Sequence, residues 1–220
     1  MAQQTTALLY ILVSPGSRAP EFVSTWFKRP SIRSIPGIKT ATEYGAIDEQ
    51  KPEFLAVYEL SNPSLAKLSF LETAAASSGF EMELRIYTIF SAKTSPHYDT
   101  NAPPDRIFRT LGLQPGPTLP EDAYNLWYEQ EHVPLLSTVP GWLKSTRWTL
   151  KESMRFEADG TRSDKPTSRY LAIHEYESME SFSKPEFKAA ISTPWRDKII
   201  PGIDREVDER RNFRPRTVLF

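Results

Sequence analysis

The sequence predicts an α+β protein made of two ferredoxin-like βαββαβ repeats, and three internal matches support this fold class. The segment Phe54–Leu60 (FLAVYEL) matches Tyr170–Tyr176 (YLAIHEY), which begins 116 residues later, at three of seven positions. The second match is a Pro-Gly pair upstream of this segment, Pro36-Gly37 in the first half and Pro140-Gly141 in the second. The third is an aromatic pair further upstream, Trp26-Phe27 and Trp127-Tyr128. Both halves should therefore fold as the same series of elements.

The first repeat begins with the apolar run 7–13, which is typical of a short strand. A helical pattern over 19–28 ends before Pro36-Gly37, which predicts a turn. Two strands over 38–46 and 53–60 follow, then a helix over 64–75 and a closing strand over 82–90. This first domain is assigned to residues 1–93, and a Pro-containing linker to residues 94–104.

The second repeat is assigned to residues 105–220 and has the same order of elements. Its predicted strands cover 106–113, 142–150, 169–176 and 213–219, and its predicted helices cover 121–136 and 183–191. Pro185 is compatible with the second helix because it lies in the first turn. The polar, Gly-containing run 152–166 predicts a loop or an extended hairpin.

Composition excludes several classes of function. The chain has 220 residues, 27 Lys and Arg against 28 Asp and Glu, and no Cys. Balanced charge without a basic block argues against a nucleic-acid partner, and the absence of Cys excludes thiolate chemistry. The apolar run 7–13 is too short to span a membrane and lacks the basic flank of a signal peptide. We therefore expect a cytoplasmic protein that has no membrane partner.

Alternation along 170–176 places Tyr170, Ala172, His174 and Tyr176 on one face, and Tyr58 lies on the matching face of the first repeat. Helices usually cover aliphatic faces, so we expect Leu171 and Ile173 to face the helices. The aromatic face would then line a cleft between two sheets, as a small-molecule pocket requires. Alternatively, these rings simply fill the space between the sheets.

The predicted helix 121–136 carries the strongest candidate site residues. On a helical wheel Glu131 lies in the middle of the apolar stripe of Tyr124, Trp127 and Tyr128, and His132 lies at its margin. Burial would raise the pKa of a carboxylate in the middle of that stripe toward values useful for proton transfer. In the structural alternative, Glu131 and His132 only form hydrogen bonds that hold the helix in place.

Other sites have weaker support. Arg147 is the best cation to pair with Glu131 or with an anionic substrate, although it alternates with Trp148 and only one of them can face the pocket. Glu131 and His132 are adjacent and so cannot readily chelate a metal ion together, and no metal is expected. The sequence has no Gly-rich phosphate loop and no G-x-S-x-G motif, so we expect no cofactor.

The run Trp127–Pro134 (WYEQEHVP), followed by Val139–Trp142 (VPGW) and Ser145–Trp148 (STRW), resembles the EthD family of the dimeric α+β barrel superfamily. The resemblance is specific over about residues 121–200 and weaker over 7–91, where Lys28–Arg33 replaces the acidic-His part. It implies a barrel formed from two ferredoxin-like units, here within one chain, of which the first is degenerate. It also allows a homodimer of this two-repeat chain.

The resemblance further implies an enzyme that acts on an aromatic or polyketide-like small molecule in secondary metabolism or catabolism. The hypothesis is a cofactor-independent lyase, a decarboxylase or a cyclase/isomerase, with His132 as general acid/base and Glu131 as its partner. The residues expected to bind substrate are Tyr128, His174, Tyr170, Tyr176, Tyr58, Trp127, Arg147 and Trp148. Two alternatives are a non-catalytic binding or stress-response protein, which a cavity below a few hundred Å³ would favour, and a haem protein with His174 or His132 as axial ligand.

Overall fold

The structure, a computed structural model, describes residues 6–62, 64, 66–99 and 106–220. The strands are β1 (Ala7–Ser14), β2 (Ile38–Ala46), β3 (Phe54–Leu60), β4 (Glu81–Thr94), β5 (Ile107–Leu113), β6 (Trp142–Phe156), β7 (Tyr170–Tyr176) and β8 (Glu209–Val218). Their hydrogen-bonded order is β1-β3-β2-β8-β5-β7-β6-β4, which closes on itself as an eight-stranded antiparallel barrel. The α+β class is therefore confirmed.

Helices between the strands are short. They are α1 (Glu21–Phe27), α2 (Pro30–Arg33), α3 (Glu72–Ala76), α4 (Glu121–Trp127), α5 (Val133–Leu136), α6 (Pro185–Ala190) and α7 (Pro194–Ile199). A π-helical turn, Tyr128–His132, joins α4 to α5 without a break. No helix in the described ranges is long and apolar enough to cross a membrane.

The chain divides into two compact units. The first contains the described residues up to Ile89 together with Trp148–Lys165 and Phe213–Phe220, and the second contains those of Phe90–Arg147 together with Pro166–Asn212. The boundaries 1–93 and 105–220 stay a prediction about repeats in the sequence. The linker expected at 94–104 is described only as far as residue 99, and its remainder lies outside the described residues.

In the first unit, β1 pairs antiparallel with both β3 and β4. One face of these strands, including Ile11, Ala56 and Tyr58, packs on Val23 and Phe27 of α1, and all five residues are fully buried. Alternate residues of each strand thus face the helices, as strand geometry requires. Both predicted Pro-Gly turns are present, with φ of +84° at Gly37 and +81° at Gly141, values that favour glycine.

The second unit corrects the predicted sheet faces. Tyr170 and Ala172 of β7 pack on Tyr124 and Trp127 of α4, so the aromatic face of β7 lies against the helices rather than in a space between two sheets. Leu171 and Ile173 therefore do not face the helices, because alternate residues of a strand point to opposite sides. The expectation that helices cover the aliphatic face was wrong because α4 presents aromatic side chains, which pack well on the aromatic face of β7.

Several element bounds also differ from prediction. In place of one helix over 64–75, the described residues form a 3-10 turn at Leu68–Phe70 and then α3. The last strand begins at Glu209, earlier than the expected residue 213. Strand β6 continues to Phe156, and the Glu157 N–H donates to Thr161 O at 2.9 Å. The insertion therefore extends β6 and then turns, as predicted for an extended hairpin.

We predict that the buried ion pairs of the first unit stabilise it far more than its exposed ones. The Glu83 carboxylate accepts from Arg85 at 2.7 Å and also from Arg155, and Glu83 and Arg85 are almost fully buried. Glu83→Gln leaves buried cations without their counter-charge and should lower the free energy of unfolding by about 3 kcal/mol. Urea denaturation at pH 7 measures the change.

Glu72→Gln is the matched control for this prediction. Glu72 pairs with Arg162 at 3.3 Å, and both side chains are about half exposed. Such exposed pairs contribute roughly 0–1 kcal/mol. Equal losses of unfolding free energy in the two variants would contradict the assigned difference between the pairs.

Candidate active site

A cavity of about 120 Å³ lies within the second unit, between the sheet formed by β5, β7 and β8 and the helices α4 to α7. Its apolar wall includes Leu111, Leu113, Trp127 and Phe187. Its polar lining consists of two histidines, two tyrosines and three arginines, namely His132, His174, Tyr128, Tyr176, Arg109, Arg196 and Arg210. No Asp or Glu lines it, so the charge of the lining is positive.

The π-helical turn decides which side chains of the helix reach the cavity. The Val133 N–H bonds to Tyr128 O, five residues back, so this turn is wider than an α-helical one. Pro134 explains the widening, because proline has no N–H and its ring would clash with the carbonyl of Gln130 in a regular helix. The wider turn changes the angular position of the residues within it.

This change corrects the predicted placement of Glu131 and His132. His132, expected at the margin of the apolar stripe, is 7% exposed and lines the cavity. Glu131, expected in the middle of the stripe, is only half-buried and does not line it. A helical wheel with a constant angle per residue cannot show this exchange. Pro134 within the predicted helix was the signal that could have shown it.

Glu131 instead ties two helices together. Its Oε1 accepts from Trp127 Nε1 at 3.1 Å and from Thr193 Oγ1 at 2.5 Å. Thr193 Oγ1 also accepts from the Arg196 N–H at 3.1 Å and caps the N-terminus of α7. Glu131 therefore connects α4 to α7, and no hydrogen bond joins it to His132.

His132 is held among aromatic rings. It stacks on Trp127 with ring centroids 4.6 Å apart and planes inclined by 21°, and its edge meets Tyr128 at 5.3 Å. Burial lowers the pKa of His132 to about 3, against the opposing effect of a hydrogen bond to the backbone of Ala190. Its Nδ1 has no hydrogen-bond partner in the described part of the chain. The ring is thus neutral at pH 7.

His174 lies on β7 opposite Arg109 of β5, with its ring centroid 6.2 Å from that of His132. Its Nδ1 is 2.7 Å from Ser145 Oγ, which also accepts from Trp142 Nε1 at 2.9 Å. Burial, followed by the nearby His132 and by the charges of Arg109 and Arg147, lowers the pKa of His174 well below its ordinary value. Its Nε2 has no partner among the residues described.

The hydroxyls of Tyr128 and Tyr176 complete a set of four buried polar atoms without a well-formed hydrogen bond in the described structure, although a weaker interaction with the Tyr124 hydroxyl lowers the pKa of Tyr128. Burial raises the pKa of both tyrosines, so both hydroxyls keep their protons at pH 7. Buried polar atoms are normally paired, because an unmade hydrogen bond costs roughly 1–3 kcal/mol. Four such residues on one cavity indicate a place for a ligand with polar groups.

Arg147 and Tyr170 do not line the cavity. Arg147 is 1% exposed and donates to Glu129 Oε1 at 2.8 Å and to Asn125 Oδ1 at 2.6 Å, which corrects the expected pairing with Glu131. Its guanidinium also lies 4.2 Å from the centroid of the Tyr128 ring. The Tyr170 hydroxyl bonds to Glu121 and accepts from Asn125 at 3.2 Å.

Tyr58 and Trp148 belong to the first unit. The Tyr58 hydroxyl donates to Phe27 O at 2.8 Å, so the residue that aligns with His174 in the sequence match bonds to the backbone. The structure therefore brings together Trp127, Tyr128, His132, His174 and Tyr176 out of the ten predicted site residues. It does not bring Glu131, Arg147, Tyr170, Tyr58 or Trp148 to the cavity.

Sequence reasoning missed the three arginines and Ser145. Arg109 shares a face of β5 with Leu111 and Leu113, so a charge within an apolar face was a usable signal. Its Nη1 donates to Asn212 Oδ1 at 2.9 Å. Arg210 pairs with Asp208 at 2.8 Å. Arg196 directly follows Thr193-Pro194-Trp195, and as a charged residue in a short helix it gave no signal of its own.

The residues around the two histidines do not fit a haem group. Cofactor and ligand pockets usually measure roughly 300–1,000 Å³, and this cavity measures about 120 Å³. The described residues also contain no group of three or more His, Cys, Asp or Glu side chains placed to hold a metal ion.

No protein-family model and no curated protein matches the chain. Among solved structures, an anthrone oxidase-like protein superposes with a TM-score of 0.65 at 11% identity, over 99% of this chain and 94% of that one. A mutant chlorite dismutase from Candidatus Nitrospira defluvii gives 0.61 at 8% identity, over 98% and 92%. A putative monooxygenase from Lactobacillus acidophilus NCFM gives 0.52 at 12% identity, over 97% and 95%. At these identities the comparisons show a shared α+β barrel fold.

The depressed pKa of His132 predicts a specific loss of stability in acid. The unfolded chain binds a proton to this ring below about pH 6.5, whereas the folded chain does so only near pH 3, so folding stability falls as the pH falls between these values. Between pH 6.5 and 4.5, the unfolding free energy of the wild type should fall by about 2 kcal/mol more than that of His132→Gln. Urea denaturation at both pH values measures it.

His97→Gln is the control, because His97 is exposed and loses little hydration on folding. The unfolding free energy of His97→Gln should fall between pH 6.5 and 4.5 by as much as that of the wild type. A wild-type loss unchanged by His132→Gln would show that His132 titrates normally in the folded protein.

Proposed function

We propose that the second unit binds a single-ring aromatic molecule and catalyses proton transfer on it without a cofactor, as a lyase or a cyclase/isomerase. The observation that carries this proposal is a set of four buried polar atoms without a well-formed hydrogen bond, on four residues that line one cavity, namely His132, His174, Tyr128 and Tyr176. A ligand with hydroxyl or carbonyl groups would supply the missing partners.

Cavity size limits the ligand. A cavity of about 150 Å³ is known to enclose benzene, so about 120 Å³ accommodates roughly one six-membered ring. The anthrone oxidase-like neighbour is named for a substrate with three fused rings. A molecule of that size could place only one of its rings in this cavity. The substrate is therefore a monocyclic phenol or enol, or a larger polyketide-like molecule that inserts one ring.

His132 is the proposed general acid/base. Its neutral Nδ1 accepts the proton of a phenol or enol hydroxyl, so an imidazolium and an oxyanion form together in contact. Burial disfavours an isolated imidazolium, but the adjacent oxyanion and the arginines of the cavity wall stabilise the charges that develop. Arg196, which pairs with no described carboxylate, is the arginine best placed to hold an anion.

In a decarboxylation, the same proton then moves from His132 to the ring carbon that bears the carboxylate. The bond between that carbon and the carboxylate breaks, carbon dioxide leaves, and the electron pair returns to the ring as a phenolate. In a cyclisation, the enolate carbon would attack a carbonyl of the same molecule, the C=O π bond would break, and the proton on His132 would pass to the resulting alkoxide. Glu131 acts in both cases as a positioning residue, because it holds Trp127, on which His132 stacks.

We also propose that the two halves of the sequence are copies of one ferredoxin-like repeat related to the EthD family. Each half has four strands with helices after its first and third strands, the second half adds α7, and β3 and β7 are the strands that match in sequence. In the first copy Tyr58 takes the position of His174 and bonds to backbone. The site would then be restricted to the second copy.

A second candidate is a non-catalytic small-molecule-binding protein. The cavity volume of about 120 Å³ favours it, because this is below the few hundred Å³ expected of an enzyme pocket. Both candidates require a ligand in the cavity, and they differ in whether His132 transfers a proton.

Deuterium incorporation separates the two candidates. In D₂O, an enzyme that moves protons between oxygen and ring carbon should exchange the ring hydrogens of resorcinol, a monocyclic phenol. His132→Gln should reduce this enzyme-dependent rate by roughly 10²–10⁴-fold, as measured by mass spectrometry. Tyr58→Phe, at the equivalent strand position of the first unit, should retain the wild-type rate.

Equal exchange rates in the wild type and in His132→Gln would remove His132 as the acid/base. Binding of resorcinol without any exchange above the uncatalysed rate would favour the non-catalytic candidate.

Ligand size gives an independent prediction. Isothermal titration should detect binding of toluene and phenol, because one ring fits the cavity, and should show at least tenfold weaker binding of anthracene. Leu111→Trp adds an indole to the cavity wall and should abolish binding of the single-ring ligands. Unchanged phenol affinity in this variant would place the binding site elsewhere.

A further inference from the structure

The buried side chains of Trp142, Ser145 and His174 form a hydrogen-bonded series that ends at His174. Trp142 Nε1 donates to Ser145 Oγ at 2.9 Å, and Ser145 Oγ lies 2.7 Å from His174 Nδ1. The three residues are at most 7% exposed. In the part of the chain that the structure describes, these are the two hydrogen bonds of Ser145 Oγ.

The number of polar hydrogens that these three side chains share fixes the tautomer of His174. An indole N–H can only donate, so Trp142 occupies a lone pair of Ser145 and leaves the serine hydroxyl hydrogen free to donate. The described acceptor for that hydrogen is His174 Nδ1. If Nδ1 carried the proton, the serine hydrogen would be buried without an acceptor, at a cost of roughly 1–3 kcal/mol. His174 therefore carries its proton on Nε2.

His132 presents the opposite polarity to the cavity. An interaction with the Ala190 backbone opposes the lowering of the His132 pKa, and it falls to Nε2, since Nδ1 has no described partner. A histidine nitrogen that bonds to a carbonyl donates, so Nε2 carries the hydrogen and Nδ1 keeps its lone pair. Among the residues that line the cavity, His174 thus holds a buried donor at Nε2 and His132 a buried acceptor at Nδ1.

We propose that Ser145 is a positioning residue that locks His174 as a hydrogen-bond donor, so that the cavity selects ring compounds bearing both a carbonyl oxygen and a hydroxyl group. The carbonyl accepts from His174 Nε2–H, and the hydroxyl donates to His132 Nδ1. The Tyr128 and Tyr176 hydroxyls can each donate or accept and so add no such requirement. This substrate class rests on the proposed function, whereas the tautomer lock does not.

Nitrogen NMR of ¹⁵N-histidine-labelled protein at pH 7 tests the lock directly. Long-range couplings should show His174 as the Nε2–H tautomer in the wild type and in Ser145→Thr, which keeps a hydroxyl. Ser145→Ala should give a mixture of tautomers or the Nδ1–H form. A wild-type His174 protonated on Nδ1, or a tautomer unchanged in Ser145→Ala, would overturn the proposal.

Ligand binding tests the selection, with acetophenone, 3-hydroxyacetophenone and toluene as probes. Ser145→Ala should weaken the first two by roughly three- to tenfold, the value of one hydrogen bond, and leave toluene unchanged. Ser168→Ala is the matched control, because Ser168 is a buried serine of the same unit whose hydroxyl donates to Tyr170 O at 3.2 Å. It should leave all three affinities unchanged.

The two experiments separate the proposals. If none of the three probes binds the wild type, the proposed aromatic site and its substrate class are wrong, and the NMR result still decides the role of Ser145. If the probes bind but Ser145→Ala weakens all of them equally, or none, the tautomer does not select the ligand.

Discussion

Removal of water from two imidazole rings is the physical constraint on which the site depends. His132 and His174 are both buried, and burial lowers the pKa of each, so the folded protein holds them neutral. Each ring uses one nitrogen to bond to the protein and leaves the other unpaired. Folding alone does not satisfy these atoms, and their cost must be balanced by the packing of the surrounding aromatic core.

The helix between β5 and β6 makes this arrangement possible. Pro134 cannot sit in a regular α-helix without loss of a hydrogen bond, and the chain responds with a wide turn over Tyr128–His132. That turn brings His132 to the cavity and moves Glu131 to Trp127 and Thr193. Pro134 thereby places His132 at the cavity and Glu131 on Trp127, the ring on which His132 stacks.

The sequence was sufficient to predict the strands, because alternation and apolar runs reflect burial directly. Tyr170–Tyr176 was predicted to within one residue for this reason. Which face of that strand packs on the helices was not predictable from its own residues, because both faces are apolar. The residues of the partner helix determine which face packs on it. His132 was identified from its place on the helical wheel, and His174 from the alternation along its strand. Arg196 and Ser145 act through tertiary contacts that leave no periodic signal in the sequence.

A crystal structure of the protein with resorcinol bound would show what the unpaired atoms of the cavity-lining residues bind. We expect one ring in the cavity beside Trp127, with one hydroxyl oxygen within about 3 Å of His132 Nδ1 and a polar atom of the ligand or an ordered water on His174 Nε2. A cavity closed by side chains that pair all four polar atoms, with resorcinol absent or bound elsewhere, would contradict this expectation.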